Sequence, residues 1–558
     1  LRVAQELGLG PDEVDELTGP LIGRPKSATF RTLDLVGIDV ATAVADHCYA
    51  DLASDPERET FVVPSVMRHL VERGALGEKT SAGFYRKEDG EILGLDFESG
   101  EYRTRRKLAS GAVQVARNES DLANRLRMLI AAPDTAGEFL RRVLAANLAY
   151  AVRIGPEVAD SVADVDAAMR WGFGWDLGPF QVIDALGDDA ARLMSEVELP
   201  APAYENGRAW RFTERSLAPV QPRPGSLDLA AARARRTDLP ANASASVLEL
   251  PDGILGLELH AKLNIIGPET IAMIRRAVEL AAQRHDGLVI GTQAADFSAG
   301  ANLALMLIEA EEGEWGELDR AIRDFQAATQ GIRHAPVPVV VAPRGRTLGG
   351  GAELVLAAAR AQALAETYIG LVEVGVGLIP AGGGSTAMAR RAAETLPEGA
   401  RGDLFGIFQH VFTGIATARV AMGAPDAREY LLLRACDPIT ADPDRQWADA
   451  VRTARDLADT GYRPPGETRI PVLGRRGIAA AEALSYNQLV ARQISEHDRK
   501  IVLDLARVMS GGEVAEGTLV SEEHLLGLER EAFLRLLGER LTRDRIRHTL
   551  KTGKPLRN

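Results

Sequence analysis

The sequence predicts a multidomain chain: an all-α region first, an α/β domain after it, and a helical region at the C-terminal end. Three observations carry this. Helical apolar periodicity fills roughly the first 200 residues, as in VPSVMRHLVERGAL and AGEFLRRVLAANLAYAV, with almost no convincing strand. A stretch rich in Pro, Arg, Ala and Ser, 201–244, then breaks the pattern and reads as a linker. Beyond it the short β-branched segments VLEL, ILGLEL, GLVIGT and VPVVVAP alternate with helical runs such as GPETIAMIRRAVELAAQR. The length of 558 residues suits three or four domains.

Within the helical region one motif recurs. SATFRTLDLVGIDVA and LGPFQVIDALGDDA share Phe-x3-Asp-x2-Gly at identical spacing: Phe30, Asp34 and Gly37 in the first, Phe180, Asp184 and Gly187 in the second. Each copy follows a Gly- or Pro-containing turn and has the apolar spacing of a short helix, which favours a duplicated helical unit over coincidence. The expected boundaries are 1–108 and 109–200 for two related helical domains, 201–244 for the linker, 245–440 for the α/β domain and 441–558 for the helical C-terminal region. That last region ends in the basic segment RLTRDRIRHTLKTGKPLRN, for which a solvated helical face is the ordinary reading and contact with ligand phosphates or a partner the sharper one.

Composition excludes several roles. With 46% hydrophobic and 26% charged residues the chain can bury several cores, so a purely disordered role is out. The net charge of -14 opposes general attraction to nucleic acid or anionic lipid, and no apolar run reaches the roughly 18 residues of a membrane span. Cys48 and Cys436 lie far apart and form no metal or redox motif, which suits a reducing, cytoplasmic setting. The nine His lack metal-ligand spacing, and no catalytic metal is expected. Gly172-x-Gly174-x3-Gly178 follows a helical run and has the wrong spacing for a dinucleotide turn, while Lys79-Thr80 lacks the phosphate-loop glycines.

The strongest chemical signal lies between strand and helix. Leu348-Gly349-Gly350-Gly351-Ala352-Glu353 comes after VPVVVAP and precedes an apolar helical run, so its backbone amides and the helix N-terminus can face a developing oxyanion. Glu353, three residues past Gly350, falls on the same helix face one turn on. Upstream, GLVIGT leads to Ala295-Asp296-Phe297-Ser298-Ala299-Gly300-Ala301-Asn302, a second small-residue turn before a helix. Downstream come Glu373 and then Gly382-Gly383-Gly384.

Taken in this order, the motifs resemble the crotonase (enoyl-CoA hydratase/isomerase) superfamily over roughly 246–397, and more loosely over the next hundred residues. The resemblance implies a ββα-spiral fold and an oxyanion hole made by the amides of Ala301 and Gly350. It also implies two catalytic glutamates, Glu353 chiefly as base towards water and Glu373 as acid for the α-carbon. Asn302 stands where that family usually has Asp. Ala299 and Lys262 are weaker candidates for contact with CoA.

A second resemblance covers the helical half. MRWGFGWDLGPFQVIDALG and ERGALGEKTSAGFY look like the C-terminal domains of 3-hydroxyacyl-CoA dehydrogenases, and the whole chain resembles the bacterial bifunctional dehydrogenase/hydratases of fatty-acid β-oxidation. Those proteins carry a dinucleotide-binding domain, expected here ahead of Leu1, so the chain reads as N-terminally truncated. The two resemblances together imply hydration of 2-enoyl-CoA with no cofactor, and NAD only for the dinucleotide domain of the longer parent. The expected partner is an acyl-CoA thioester, with a thiolase and a second copy of the chain left open. The alternatives are an inactive acyl-CoA-binding scaffold docking a thiolase, or an enoyl-CoA isomerase.

Overall fold

The repeated Phe-Asp-Gly motif organises the first of the two units into which the chain divides, Leu1–Gln221; the second is Pro222–Asn558. The computed structural model describes all residues except 120, 195–196, 199, 201, 221–224, 228, 230–231, 234–237 and 397–402.

In the first unit, α1 (Pro11–Thr18) and α2 (Phe30–Val36) precede a meander of β1 (Tyr85–Glu88), β2 (Glu91–Leu95) and β3 (Tyr102–Thr104). After the long α3 (Thr135–Val158), the pattern returns as α4 (Val162–Phe173), α5 (Pro179–Leu186) and a second meander, β4 (Tyr204–Glu205), β5 (Arg208–Arg211) and β6 (Ser216–Pro219). Asp34 accepts hydrogen bonds from the backbone N–H of Phe84 and Tyr85, at 2.8 and 2.9 Å; Asp184 does the same for Ala203 and Tyr204, at 2.9 and 2.7 Å. A second aspartate completes each copy. Asp15 holds the amides of Thr29, Phe30 and Arg31 and the Tyr85 hydroxyl, while Asp166 holds Phe180, Gln181 and the Tyr204 hydroxyl. Gly37 and Gly187, at φ 103° and 59°, end the two motif helices where a Cβ would be strained. Phe30 and Phe180 are completely buried in one continuous apolar cluster.

The meanders depart from the sequence expectation of almost no strand. Their strands are short and charged, YRKE and RAWR among them, so no alternating apolar face announces them. The turns do. Asp89-Gly90 and Asn206-Gly207 join their strands with positive φ at both residues (49° and 86°; 49° and 74°), the two-residue hairpin that Asp-Gly and Asn-Gly favour. Residues 204–219, read from composition as linker, therefore form a sheet; residues 201, 221–224, 228, 230–231 and 234–237 of that stretch lie outside the described residues.

The second unit is built on a five-stranded sheet. β7 (Ala245–Glu249) runs antiparallel to β8 (Ile254–Leu259), which continues in parallel to β9 (Gly287–Gly291), β10 (Val339–Val341) and β12 (Arg360–Ala361). Every residue of GLVIG is buried, as a parallel strand covered on both faces requires. A second layer pairs β11 (Gly345–Leu348) in parallel with β13 (Thr367–Gly370). Between strands lie α6 (Pro268–Arg284), α7 (Leu303–Glu312), α8 (Trp315–Arg333), α9 (Gly350–Ala357) and α10 (Gly384–Glu394).

The chain beyond 440 folds back on this domain. Trp447, Ala450, Val451 and Ala454 of α11 (Gln446–Asp459) bury against Leu248, Ile254, Val289 and Val340 of the sheet. Farther on, α12 (Glu496–Met509) packs on α10, α13 (Glu522–Leu537) on α8 and α10, and α14 (Arg540–Thr552) on α7. The terminal basic segment is more than a solvated face. Arg545, 2% exposed, pairs with Asp498 at 2.7 Å and donates to Asn558 Oδ1 at 2.7 Å, while Arg547 engages Glu311 and Asp544.

Candidate active site

Gly349 takes φ 53°, ψ −121° at the end of β11, a conformation open to glycine, and its N–H donates to Gly370 O at 2.9 Å. The chain thereby swings straight into α9, whose first amide, that of Gly350, has no intrahelical acceptor. Alongside runs the segment Phe297–Ala301. Ser298 N–H donates to Arg346 O at 3.1 Å, Leu348 N–H to Ser298 O at 3.0 Å, and Ile266 N–H to Gly300 O at 2.9 Å. Among the described residues the Ala301 N–H meets no hydrogen-bond acceptor. Gly300, at φ 101°, lies so near the other turn that a Cβ on it would come within 3.8 Å of the Gly350 nitrogen. Two unengaged amides thus converge.

They open on a cavity of about 380 Å³ whose lining includes Ala299, Gly300, Ala301, Gly350, Glu353 and Glu373. Its remaining wall is mostly apolar, with Ile271, Met306, Ile322, Phe325 and Phe533. Glu353, 4% exposed, is aimed by the glycine turn before α10: its Oε1 accepts from the N–H of Gly382 and of Gly384, each at 2.8 Å. Burial pushes the Glu353 carboxyl up to about 7 against the opposing pull of those two amides. Glu373 approaches from the other side, and a Cβ on Gly349 would sit 3.0 Å from its Oε1. Its Oε2 is buried without a hydrogen-bond partner. Burial first, and then the Glu353 charge, raise Glu373 well above the usual carboxylate range. One carboxyl therefore tends to stay protonated while the other ionises, as a paired acid and base require.

Asn302 leaves the amide geometry intact and caps α7, accepting from Leu305 N–H at 3.1 Å. Lys262 is not on the cavity wall. It is exposed on the turn Lys262–Asn264, which meets the site's edge through Leu263 O, the acceptor for Ala299 N–H at 3.0 Å, and Asn264 O, the acceptor for the Ser298 hydroxyl at 2.7 Å. Sequence reasoning missed Phe533 and the buried Glu529, both on α13. They sit on an ordinary amphipathic helix far along the chain, with no turn motif to mark them.

Two family models match. The one for 3-hydroxyacyl-CoA dehydrogenase, C-terminal domain, covers residues 1–87 and 137–218, and the one for enoyl-CoA hydratase/isomerase covers 253–429. A Bacillus subtilis (strain 168) protein named "Probable 3-hydroxyacyl-CoA dehydrogenase" is 40% identical over 563 residues, covering 98% of this chain and 70% of that protein. The chain belongs to the 3-hydroxyacyl-CoA dehydrogenase family. Within that family it has the dehydrogenase C-terminal region followed by a crotonase-fold enoyl-CoA hydratase/isomerase domain. A Rickettsia felis protein provisionally named a fatty acid oxidation complex trifunctional enzyme is 23% identical over 550 residues, covering 96% of this chain and 69% of that protein. The crystal structure of enoyl-CoA hydratase from Bacillus halodurans aligns over 55% of this chain and 99% of that one, at 16% identity and a TM-score of 0.38. The chain thus carries enzyme domains of the dehydrogenase and hydratase/isomerase types.

The dehydrogenase function of this family implies NAD. The glycines 172, 174 and 178 do not fit it: Gly172 lies inside α4, Gly174 ends that helix at φ 64°, and Gly178 caps α5, where a Cβ would strike Asp166 at 2.4 Å. None of the three follows a strand, as a dinucleotide-binding turn requires. Among the described residues no cluster of His, Cys, Asp and Glu has a metal-binding arrangement, and no helix is long and apolar enough to cross a membrane.

Proposed function

We propose that the crotonase-fold domain hydrates 2-enoyl-CoA to 3-hydroxyacyl-CoA. The observation that carries this reading is the pairing of two raised carboxyls, the buried Glu353 and the half-buried Glu373, on one cavity with two unengaged amides. Glu353 takes a proton from water as the water oxygen bonds to the β-carbon. The double-bond electrons move towards the thioester, whose oxygen becomes an enolate held by the N–H groups of Ala301 and Gly350. Glu373 delivers its proton to the α-carbon, the thioester carbonyl re-forms, and one water has been added. Each such amide donor lowers the barrier by roughly 3 kcal/mol. The apolar wall of the cavity suits an acyl chain and keeps bulk water from the enolate.

An isomerase can shift a double bond with a single glutamate, so the two raised carboxyls support hydration over isomerisation. Glu353→Gln and Glu373→Gln should each lower hydration of crotonyl-CoA at least ~100-fold, while titration calorimetry with a saturated acyl-CoA reads unchanged affinity. Wild-type turnover in the double variant would overturn the assignment.

A further inference from the structure

Burying a carboxylate without a cation is costly, and the molecule does so a third time beside the site. Glu529, on α13, is 0% exposed. Its Oε2 accepts from Gly383 N–H at 3.0 Å and its Oε1 from Thr386 N–H. Glu353 holds the neighbouring amides, those of Gly382 and Gly384. Two carboxyl groups therefore divide four amides at the start of α10, three of them on the Gly382–Gly384 turn and the fourth that of Thr386. Gln326 braces the same joint, donating from Nε2 to Ala381 O at 2.9 Å and to Leu526 O at 3.0 Å. Thr329 adds a bond from its hydroxyl to Gly382 O at 2.7 Å.

We propose that Glu529 is a positioning residue of the hydration site: it clamps the Gly382–Gly384 turn that aims Glu353, and its ionisation is tied to that of Glu353. This rests on the hydratase reading. The cations nearby are committed elsewhere: Arg333 and Arg390 to Glu522, Arg530 to Asp319, and Arg535 to Asp504 of α12. His497 of α12 bonds Thr542 on α14. What acts on Glu529 is burial and then the Glu353 charge, which together push it up to about 8; Glu529 in turn helps raise Glu373. Its proton therefore leaves at the alkaline edge of the range in which Glu353 works, adding charge beside the developing enolate.

The test is the pH profile of crotonyl-CoA hydration by the full chain and by Glu529→Gln, which keeps the side chain's shape but cannot ionise. Expected are a kcat roughly tenfold lower from the loosened aim, a KM within about twofold, and an alkaline limb displaced upward by at least about half a pH unit. Gln326→Leu, which cuts the brace but leaves the carboxyls, should lower kcat with the limb unmoved. A Glu529→Gln profile that coincides with wild type, or a kcat loss with the limb in place, overturns the proposal. A second measurement serves if the variant misfolds or wild type shows no turnover. Infrared titration of the wild-type chain should reveal a buried carboxylic-acid band that disappears between about pH 7 and 9, beyond the Glu353 titration. Its absence overturns the proposal, whereas its presence without turnover removes the hydratase reading and leaves the coupling standing.

Discussion

At the residue scale the site depends on glycines that leave room for carboxylates. A Cβ on Gly382 would come 2.3 Å from the Phe325 ring and 2.7 Å from Glu353 Oε2. Gly382→Ala must therefore displace either the cavity wall or the base itself. The expected result is a fall in kcat of about 100-fold, the scale set by a misplacement of ~1 Å, together with a lower melting temperature. Gly349→Ala adds strain at φ 53° to a contact 3.0 Å from Glu373 Oε1, and should lower kcat without abolishing acyl-CoA binding. On the hydratase reading the pH dependence has a definite sign: hydration rises as Glu353 loses its proton near pH 7, and falls again at higher pH as the protons of Glu529 and Glu373 leave. A rate with no alkaline fall would contradict the assigned acid.

At the scale of elements, the duplicated aspartates join each motif helix to its meander. Asp34 is 2% exposed and uses both oxygens, one for Phe84 N–H and one for Tyr85 N–H. Asp34→Asn would set an NH2 against one of those donors. The expected cost is about 2–3 kcal/mol of first-unit stability, read by chemical denaturation, with hydration in the second unit unchanged. How much of this is legible in the sequence depends on the kind of signal. The motif helices are legible because Phe-x3-Asp-x2-Gly joins apolar spacing to a glycine stop. The meanders escape because apolar periodicity says little over strands of two to five residues, although Asp89-Gly90 and Asn206-Gly207 mark the hairpins. The turns that meet at the cavity are legible for the same reason as the motif helices: Ala301, Gly350 and Glu353 each belong to a local strand-to-helix junction. Glu529 and Phe533 reach the site only through tertiary packing, which a single helix pattern does not encode.

At the scale of the whole molecule, burying Glu353 and Glu529 links the second unit's stability to pH. Glu529 has an ordinary value of 4.5 and a folded value near 8, so the folded form binds the extra proton between them. The stability this contributes is fully present below about pH 4.5 and is lost as pH rises through about 8; Glu353 adds to the same trend up to about 7. Scanning calorimetry should show the second unit's transition falling between about pH 5 and 8.5, and Glu529→Gln should flatten part of that slope. The helices past residue 440 take part directly, since they carry Glu529 and Phe533 and complete the sheet's other face. The proposed hydration site thus draws on residues from Ile266 to Phe533.

The central claim, that this cavity adds water to a 2-enoyl thioester, is tested most directly by mixing the purified chain with crotonyl-CoA in the absence of nucleotide and following the enoyl absorbance. The absorbance is expected to fall, matched one for one by 3-hydroxybutyryl-CoA formed, and to stay constant in Glu353→Gln and Glu373→Gln. Binding of crotonyl-CoA with no change in absorbance, or conversion of a 3-enoyl-CoA to its 2-enoyl isomer without hydration, would contradict it.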